Sequence, residues 1–231
     1  MHRCSNAIGV IPHGKSEISN HRVLAGMLAQ PVHAAGAQDV QRSGVSAGAV
    51  TDQTKAEATK AALRDLWIGH VFWVRNVVVA ALADDAAARQ EAEKQVVANA
   101  QAIAASIEPF YGAQATEKLF TLLAGHYGAV KAYLDASIAK NAKKRTEATT
   151  ALTSNAGEIA SCLSSANEYL PKDVVEGLLA VHGAHHIAQI QHLEAKDYEG
   201  EAQTWAAMTR HMYVIADAIA DALAKQFPAK V

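Results

Sequence analysis

Apolar residues recur along most of this chain at the i, i+3, i+4 spacing of amphipathic helices, in six stretches separated by short polar breaks. Acidic residues, proline or glycine stand at the breaks, as in Asp84-Asp85, Glu108-Pro-Phe-Tyr-Gly112 and Asp197-Tyr-Glu-Gly200, where they favour helix ends and turns. The predicted helices cover about residues 54–82, 86–107, 113–140, 144–163, 171–193 and 201–226.

The helices repeat in pairs. Leu63-Arg-Asp-Leu-Trp-Ile-Gly-His70 has the same apolar spacing as residues 119–126 and 175–182, and all three stretches end in histidine. A second set of polar residues follows each histidine after 29 residues. The two sets, each with an interval of 56 residues, are His70, His126 and His182, and Asn99, Asn155 and His211.

The repeat predicts three antiparallel helical hairpins. The midpoints of the pairs 70/99, 126/155 and 182/211 fall at 84.5, 140.5 and 196.5, each on a predicted turn. Both members of a pair then lie roughly 20 Å from the loop at 1.5 Å per residue, so the six polar residues share one layer. The predicted fold is an all-α, up-down bundle of six helices in one domain, residues 53–231, because one repeat cannot bury its own apolar face.

Residues 1–52 lack helical periodicity and are predicted to be a disordered arm or the remnant of an export signal. Val23-Leu-Ala-Gly-Met-Leu-Ala29 followed by His33-Ala-Ala-Gly-Ala-Gln38 is similar to the end of such a signal. This interpretation places the protein in the periplasm or outside the cell, and the alternative places it in the cytoplasm. No run reaches about 18 consecutive apolar residues, so no membrane span is expected.

The amino-acid composition favours a helical protein and argues against one class of binding partner. Hydrophobic residues make up 50% of the chain but aromatic residues only 6%, and alanine favours closely packed helices over strands. The formal charge of −2 argues against a nucleic-acid partner, which would require a basic face. A homo-oligomer is compatible with the sequence.

The motif Leu63-x-x-Leu-Trp-x-x-His-Val-x-Trp73, with the His/Asn hairpins that follow it, resembles a family of uncharacterised bacterial all-helical proteins. The resemblance covers about residues 60–228. It implies a helical bundle and brings no established activity. Family members tend to have threonine where this chain has Val74 and His186, and glutamate where it has Gln189, so a site built from those positions is altered here.

In the first two hairpins, His70 with Asn99 and His126 with Asn155 are predicted to form hydrogen-bonded pairs. A neutral imidazole and a carboxamide satisfy each other, and a buried polar layer of this kind fixes helix register. Glu158, one turn after Asn155, is a candidate carboxylate ligand or an acceptor for an imidazole, and the alternative is a side chain that reaches solvent.

In the third hairpin the asparagine is replaced by histidine. His182-x-x-x-His186 places two imidazoles on one helix face, and His211 faces them from the next helix, a set that can hold zinc, copper, nickel or iron. His185 and Gln189 extend this polar face. Haem is a weaker candidate, with His182 and His211 as axial ligands and no CxxCH motif.

Known enzyme templates do not fit. The sequence has no glycine-rich phosphate loop, no GxSxG, no HExxH and no Glu-x-x-His pairs of a di-iron bundle. The sequence therefore predicts non-catalytic binding of a metal ion or small ligand in the polar layer. The alternatives are a structural or protein-interaction bundle whose His/Asn layer sets register, and an enzyme that uses one histidine as a general base.

Overall fold

The protein is described by a computed structural model whose backbone covers residues 47–231 and whose side chains cover residues 55–231. The described part is all helical, as predicted, with no strand. Its seven helices are α1 (Ala47–Leu82), α2 (Ala86–Ala105), α3 (Glu108–Tyr111), α4 (Ala113–Ile138), α5 (Ala142–Ala166), α6 (Lys172–Ala195) and α7 (Tyr198–Gln226). The predicted arm or signal at residues 1–52 lies outside these residues except for the start of α1.

Helix ends differ from the predicted ones by a few residues. Helix α1 begins at Ala47 and not near Thr54, and the predicted break after Ile107 contains the single-turn helix α3. Pro109 lies in the first turn of α3, where its missing N–H costs no hydrogen bond. These differences leave the six long helices and their order as predicted.

The three tight turns are built alike. Asp84, Lys140 and Lys196 each have a positive φ of 53° to 58° and end one helix. The following residues, Asp85, Asn141 and Asp197, cap the next helix by accepting a hydrogen bond from the backbone N–H three residues later. The turns therefore lie at the hairpin midpoints and recur at the same 56-residue interval.

The long helices close into a ring of three hairpins. Helices α1 and α2, α4 and α5, and α6 and α7 pack as pairs, while α2 also packs on α4, α5 on α6, and α7 on α1. Helix α6 additionally contacts both α4 and α1 across the interior. The first helices of the hairpins thus share the centre of the bundle.

The predicted polar layer separates two apolar clusters along the first helices. Before His70 on α1, Leu63 and Trp67 belong to a cluster built around Met208 and Met212; after it, Val74, Val77 and Val78 belong to another. The same change occurs on α4, where Leu119 and Leu123 precede His126 and Val130 and Tyr133 follow it. The histidines therefore lie at mid-height in an apolar core.

Helix α1 contains the one segment in the described residues that is long and apolar enough to cross a membrane. The most apolar 18-residue window within Lys55–Leu82 has a mean hydropathy of 1.3, and 39% of that window is buried inside the bundle. A helix that packs on several neighbours is apolar on several sides and passes the same test as a spanning helix. The absence of a membrane span stays a prediction.

A candidate metal centre of four buried histidines

Four imidazoles meet at the centre of the bundle. They come from His70 on α1, His126 on α4, and His182 and His186 on α6, and each of these residues is only 1% to 5% exposed. One nitrogen from each ring lies within 4.8 Å of the corresponding nitrogens of the other three. This is the geometry of a group that can hold a single ion.

The rings are in mutual contact. Every pair of the four has ring centroids between 4.4 and 6.0 Å apart. Nε2 of His182 and Nε2 of His186 are 3.1 Å apart, one helical turn from each other. With metal–nitrogen bonds of about 2.05 Å, this separation corresponds to an N–metal–N angle of about 98°, near the values of tetrahedral and octahedral coordination.

Several ring nitrogens in this group have no hydrogen-bond partner. Both nitrogens of His126 and Nδ1 of His182 and His186 are buried and unpartnered. Buried polar atoms in proteins are nearly always hydrogen-bonded. These rings thus retain unused hydrogen-bonding and ligating capacity in the middle of an apolar core.

Burial keeps these imidazoles neutral. Loss of hydration lowers the pKa of His70 to about 3, and the neighbouring His126 lowers it further. Burial also lowers the pKa of His126 to about 4, opposed by the nearby Asn155 carboxamide. The pKa values of His182 and His186 fall well below the ordinary value through burial and then through the surrounding imidazoles. Neutral imidazole is the form that binds a metal ion.

The predicted hydrogen bond between His70 and Asn99 is not formed, and Asn155 lies near the His126 imidazole without a hydrogen bond of ordinary geometry. Asn99 Nδ2 donates to Leu66 O and Asn155 Nδ2 donates to Leu122 O, both at 3.0 Å, and the two carboxamide oxygens are unpartnered. In the third hairpin, His211 Nε2 lies 2.8 Å from Leu178 O. Each carbonyl precedes the histidine of its hairpin by four residues, so the second set of repeated residues binds the backbone of the neighbouring helix.

His211 lies outside the group of four. Its Nε2 is engaged with a carbonyl, and its ring packs against His185, with centroids 5.5 Å apart. The sequence grouped His211 with His182 and His186, whereas the structure brings His70 and His126 to those two. The repeat places His70 and His126 at the position of His182, which indicates that they also point inward. The prediction that Asn99 and Asn155 bind them excluded them from the ligand set.

The remaining predicted residues are spread around the centre. Gln189 is fully buried one turn beyond His186, and its Nε2 donates to Glu201 Oε1 at 3.1 Å. His185 is partly buried, on the flank of α6. Glu158 is exposed, in agreement with the alternative that its carboxylate reaches solvent. Sequence reasoning missed Glu201, whose only signal was an acidic residue in the first turn of α7.

Comparisons with protein-family models, with curated proteins and with solved structures give no match to this chain. The resemblance to bacterial helical proteins therefore stays a prediction.

Proposed function

We propose that the protein binds one transition-metal ion through His70, His126, His182 and His186, and that this binding, and not catalysis, is the function of the site. The observation that carries the proposal is the convergence of four buried, neutral imidazoles within 4.8 Å. Four protein ligands saturate a tetrahedral ion, which is typical of structural or storage sites; catalytic sites keep a position open. Imidazole ligands suit zinc, copper, nickel and iron.

An ion suits the centre better than an organic ligand or haem. The rings contact one another, with centroid distances of 4.4 to 6.0 Å, so an organic molecule or a porphyrin would have to separate the helices that carry them. An ion occupies the space between nitrogens that are already close.

The hydrogen bonds that set helix register do not use these histidines. Asn99, Asn155 and His211 hold the paired helices together through backbone carbonyls. A purely structural layer would have no need of four further imidazoles at the centre, where valine or leucine would avoid unpartnered nitrogens. Because other residues set the helix register, the four clustered histidines favour the metal site over the structural alternative.

The test starts from chelator-treated protein, to which Zn²⁺, Cu²⁺, Ni²⁺ or Fe²⁺ is added. We expect one ion per chain by elemental analysis. Free metal at 100 times Kd should stabilise the native state by about 2.7 kcal/mol, which raises the melting temperature by about 5–10 °C. If no ion binds at this stoichiometry and none raises the melting temperature, the proposal is wrong.

Two variants on α6 locate the site. His182→Ala should abolish the metal-dependent rise in melting temperature, measured against the metal-free form of the same variant. His185→Ala is the matched control, because His185 lies on the same helix beside the group and contributes no nitrogen to it. Equal losses in both variants would contradict the assignment of the ligands.

A further inference from the structure

A second buried polar unit lies one helical turn from the four histidines. Glu201 on α7 is 5% exposed and is the one carboxylate among the buried side chains of the described residues. It accepts hydrogen bonds from Arg75 Nε at 2.7 Å and Arg75 Nη2 at 3.0 Å, and from Gln189 Nε2 at 3.1 Å. The unit therefore joins α1, α6 and α7 at the level just beyond His186.

The orientation of Gln189 is determined by its partner. The Glu201 carboxylate only accepts hydrogen bonds, because Arg75 lowers its pKa, so the amide NH₂ of Gln189 must face it. The amide oxygen then points away from Glu201, and this Oε1 atom is buried without a partner. An unsatisfied acceptor is thus held in place by an ion pair whose carboxylate is buried.

This acceptor lies on the same helix face as His186, three residues away. Residues three apart are neighbours on a helix surface, so Gln189 and His186 lie side by side on one face of α6. His186 Nε2 is the nitrogen that faces His182, and its other nitrogen, Nδ1, has no partner. A buried acceptor and a buried ring nitrogen, both unsatisfied, therefore occupy adjacent turns.

The corresponding positions in the other hairpins carry no such groups. Val74 and Val130 occupy the position of His186, and Val77 and Tyr133 that of Gln189. Of the three hairpins, only the third therefore has the pair of polar residues, His186 and Gln189, that leads from the histidines to Glu201.

We propose that Gln189 and Glu201 are positioning residues of the metal site. While Nε2 of His186 binds the ion, Nδ1–H of the same imidazole donates to Gln189 Oε1 through one bridging water, because the two atoms form no direct hydrogen bond in the structure. Glu201 anchors Gln189 through its hydrogen bond to the amide NH₂. This inference rests on the proposed function.

The physical reason is charge. Four neutral imidazoles leave the full charge of a divalent ion in an apolar core, and burying a charge is costly unless it is compensated. Metal-bound histidines usually donate their second N–H to a carboxylate, carbonyl or water, and loss of that partner weakens metal binding by about 10–100-fold.

The experiment measures the Kd for Zn²⁺ by competition with a chelator in Glu201→Gln and Gln189→Leu. Both variants should bind Zn²⁺ about 10–100-fold more weakly than the unmodified protein. The matched control is Asp217→Asn. Asp217 forms the other two-bond ion pair between α1 and α7, with Arg64 at 2.6 Å, and is not joined to the histidines. The control should lower the melting temperature of the metal-free protein and leave Kd unchanged.

Three outcomes would overturn the inference. If Kd in both variants equals that of Asp217→Asn, Glu201 and Gln189 are structural only. If Glu201→Gln does not fold, Gln189→Leu decides, because it keeps the Arg75–Glu201 pair, and an unchanged Kd there contradicts the role. If the unmodified protein binds no metal at all, the proposed function fails first, which is a distinguishable result.

Discussion

In the first two hairpins the second helix carries Asn99 or Asn155, whereas in the third it carries His211, yet all three residues reach the equivalent carbonyl of the paired helix. A carboxamide and an imidazole can both serve this bond because each offers an N–H at the end of a short, stiff side chain. A change of residue at this outer position therefore preserves the interaction.

The inner positions of the same hairpins behave in the opposite way. Here His186 replaces Val74 and Val130, and a polar side chain with a different partner replaces an apolar one. The substitution adds a fourth imidazole to the three that the repeat supplies. The comparison indicates that the outer layer maintains the hairpins, while the departure from the repeat on α6 creates the site.

Acid should destabilise the metal-free protein strongly, which is the largest effect expected from the inner layer. The pKa values of His70 and His126 in the folded state, about 3 and about 4, lie below the ordinary 6.5. The unfolded chain therefore takes up protons first, and stability that is present above pH 6.5 is lost as the pH falls toward those values. Each histidine contributes a slope of up to about 1.4 kcal/mol per pH unit.

Urea unfolding at pH 7.5, 6.0 and 5.0 measures this slope. His186→Val, which gives the third hairpin the residue of the other two, removes one buried imidazole and should make the slope shallower. An identical slope in both proteins would show that His186 is not held neutral by burial.

Gly69→Ala should destabilise the protein by about 1 kcal/mol, although alanine is the better helix former. A Cβ at Gly69 would lie 2.9 Å from Asn99 Nδ2, the atom that donates to Leu66 O. Displacing that donor costs about 1–3 kcal/mol, which outweighs a propensity gain of about 1 kcal/mol.

Gly128→Ala is the control for this change. It lies on α4 with nothing within 4 Å of the added Cβ, so it should stabilise the protein by about 0.5–1 kcal/mol. The free energies of unfolding in urea give both values. A gain in stability at both glycines would mean that the outer hydrogen bond does not constrain the approach of α1 and α2.

His211→Asn should have the smallest effect. Asparagine makes the same bond in the other hairpins, and His211 is not among the four clustered imidazoles. We expect the Kd for Zn²⁺ to be unchanged and the free energy of unfolding to fall by about 1 kcal/mol or less, because the shorter side chain reaches Leu178 O less well. Loss of metal binding in this variant would place His211 among the ligands.

Much of the fold could be predicted from the sequence. Helical periodicity located the six long helices, and the 56-residue interval placed the turns at Asp84, Lys140 and Lys196, where the structure has its left-handed residues. These features depend on contacts within one hairpin. Helix propensity, capping and distance from the loop depend on residues that are near one another in the chain, so they can be predicted from the sequence.

The set of candidate metal ligands was harder to predict from the sequence. The spacing of His182 and His186 on one helix face was readable, because residues four apart are neighbours on a helix. The assignment of Asn99 to His70 failed because equal distance from the loop gives the same height but not the same direction. Asn99 points toward the backbone of α1, while His70 points to the centre.

The sequence by itself thus determined the helices, their pairing and the level of the polar layer. Only the tertiary structure decided which imidazoles meet, because His70, His126 and His182 belong to three hairpins whose rotation about their axes is set by packing in the closed ring. The same packing brought Glu201 of α7 to Gln189 and Arg75, a contact between residues far apart in the chain. Hydrophobic periodicity determines which face of each helix points to the core, and the packing of the closed ring determines which residues that face contacts.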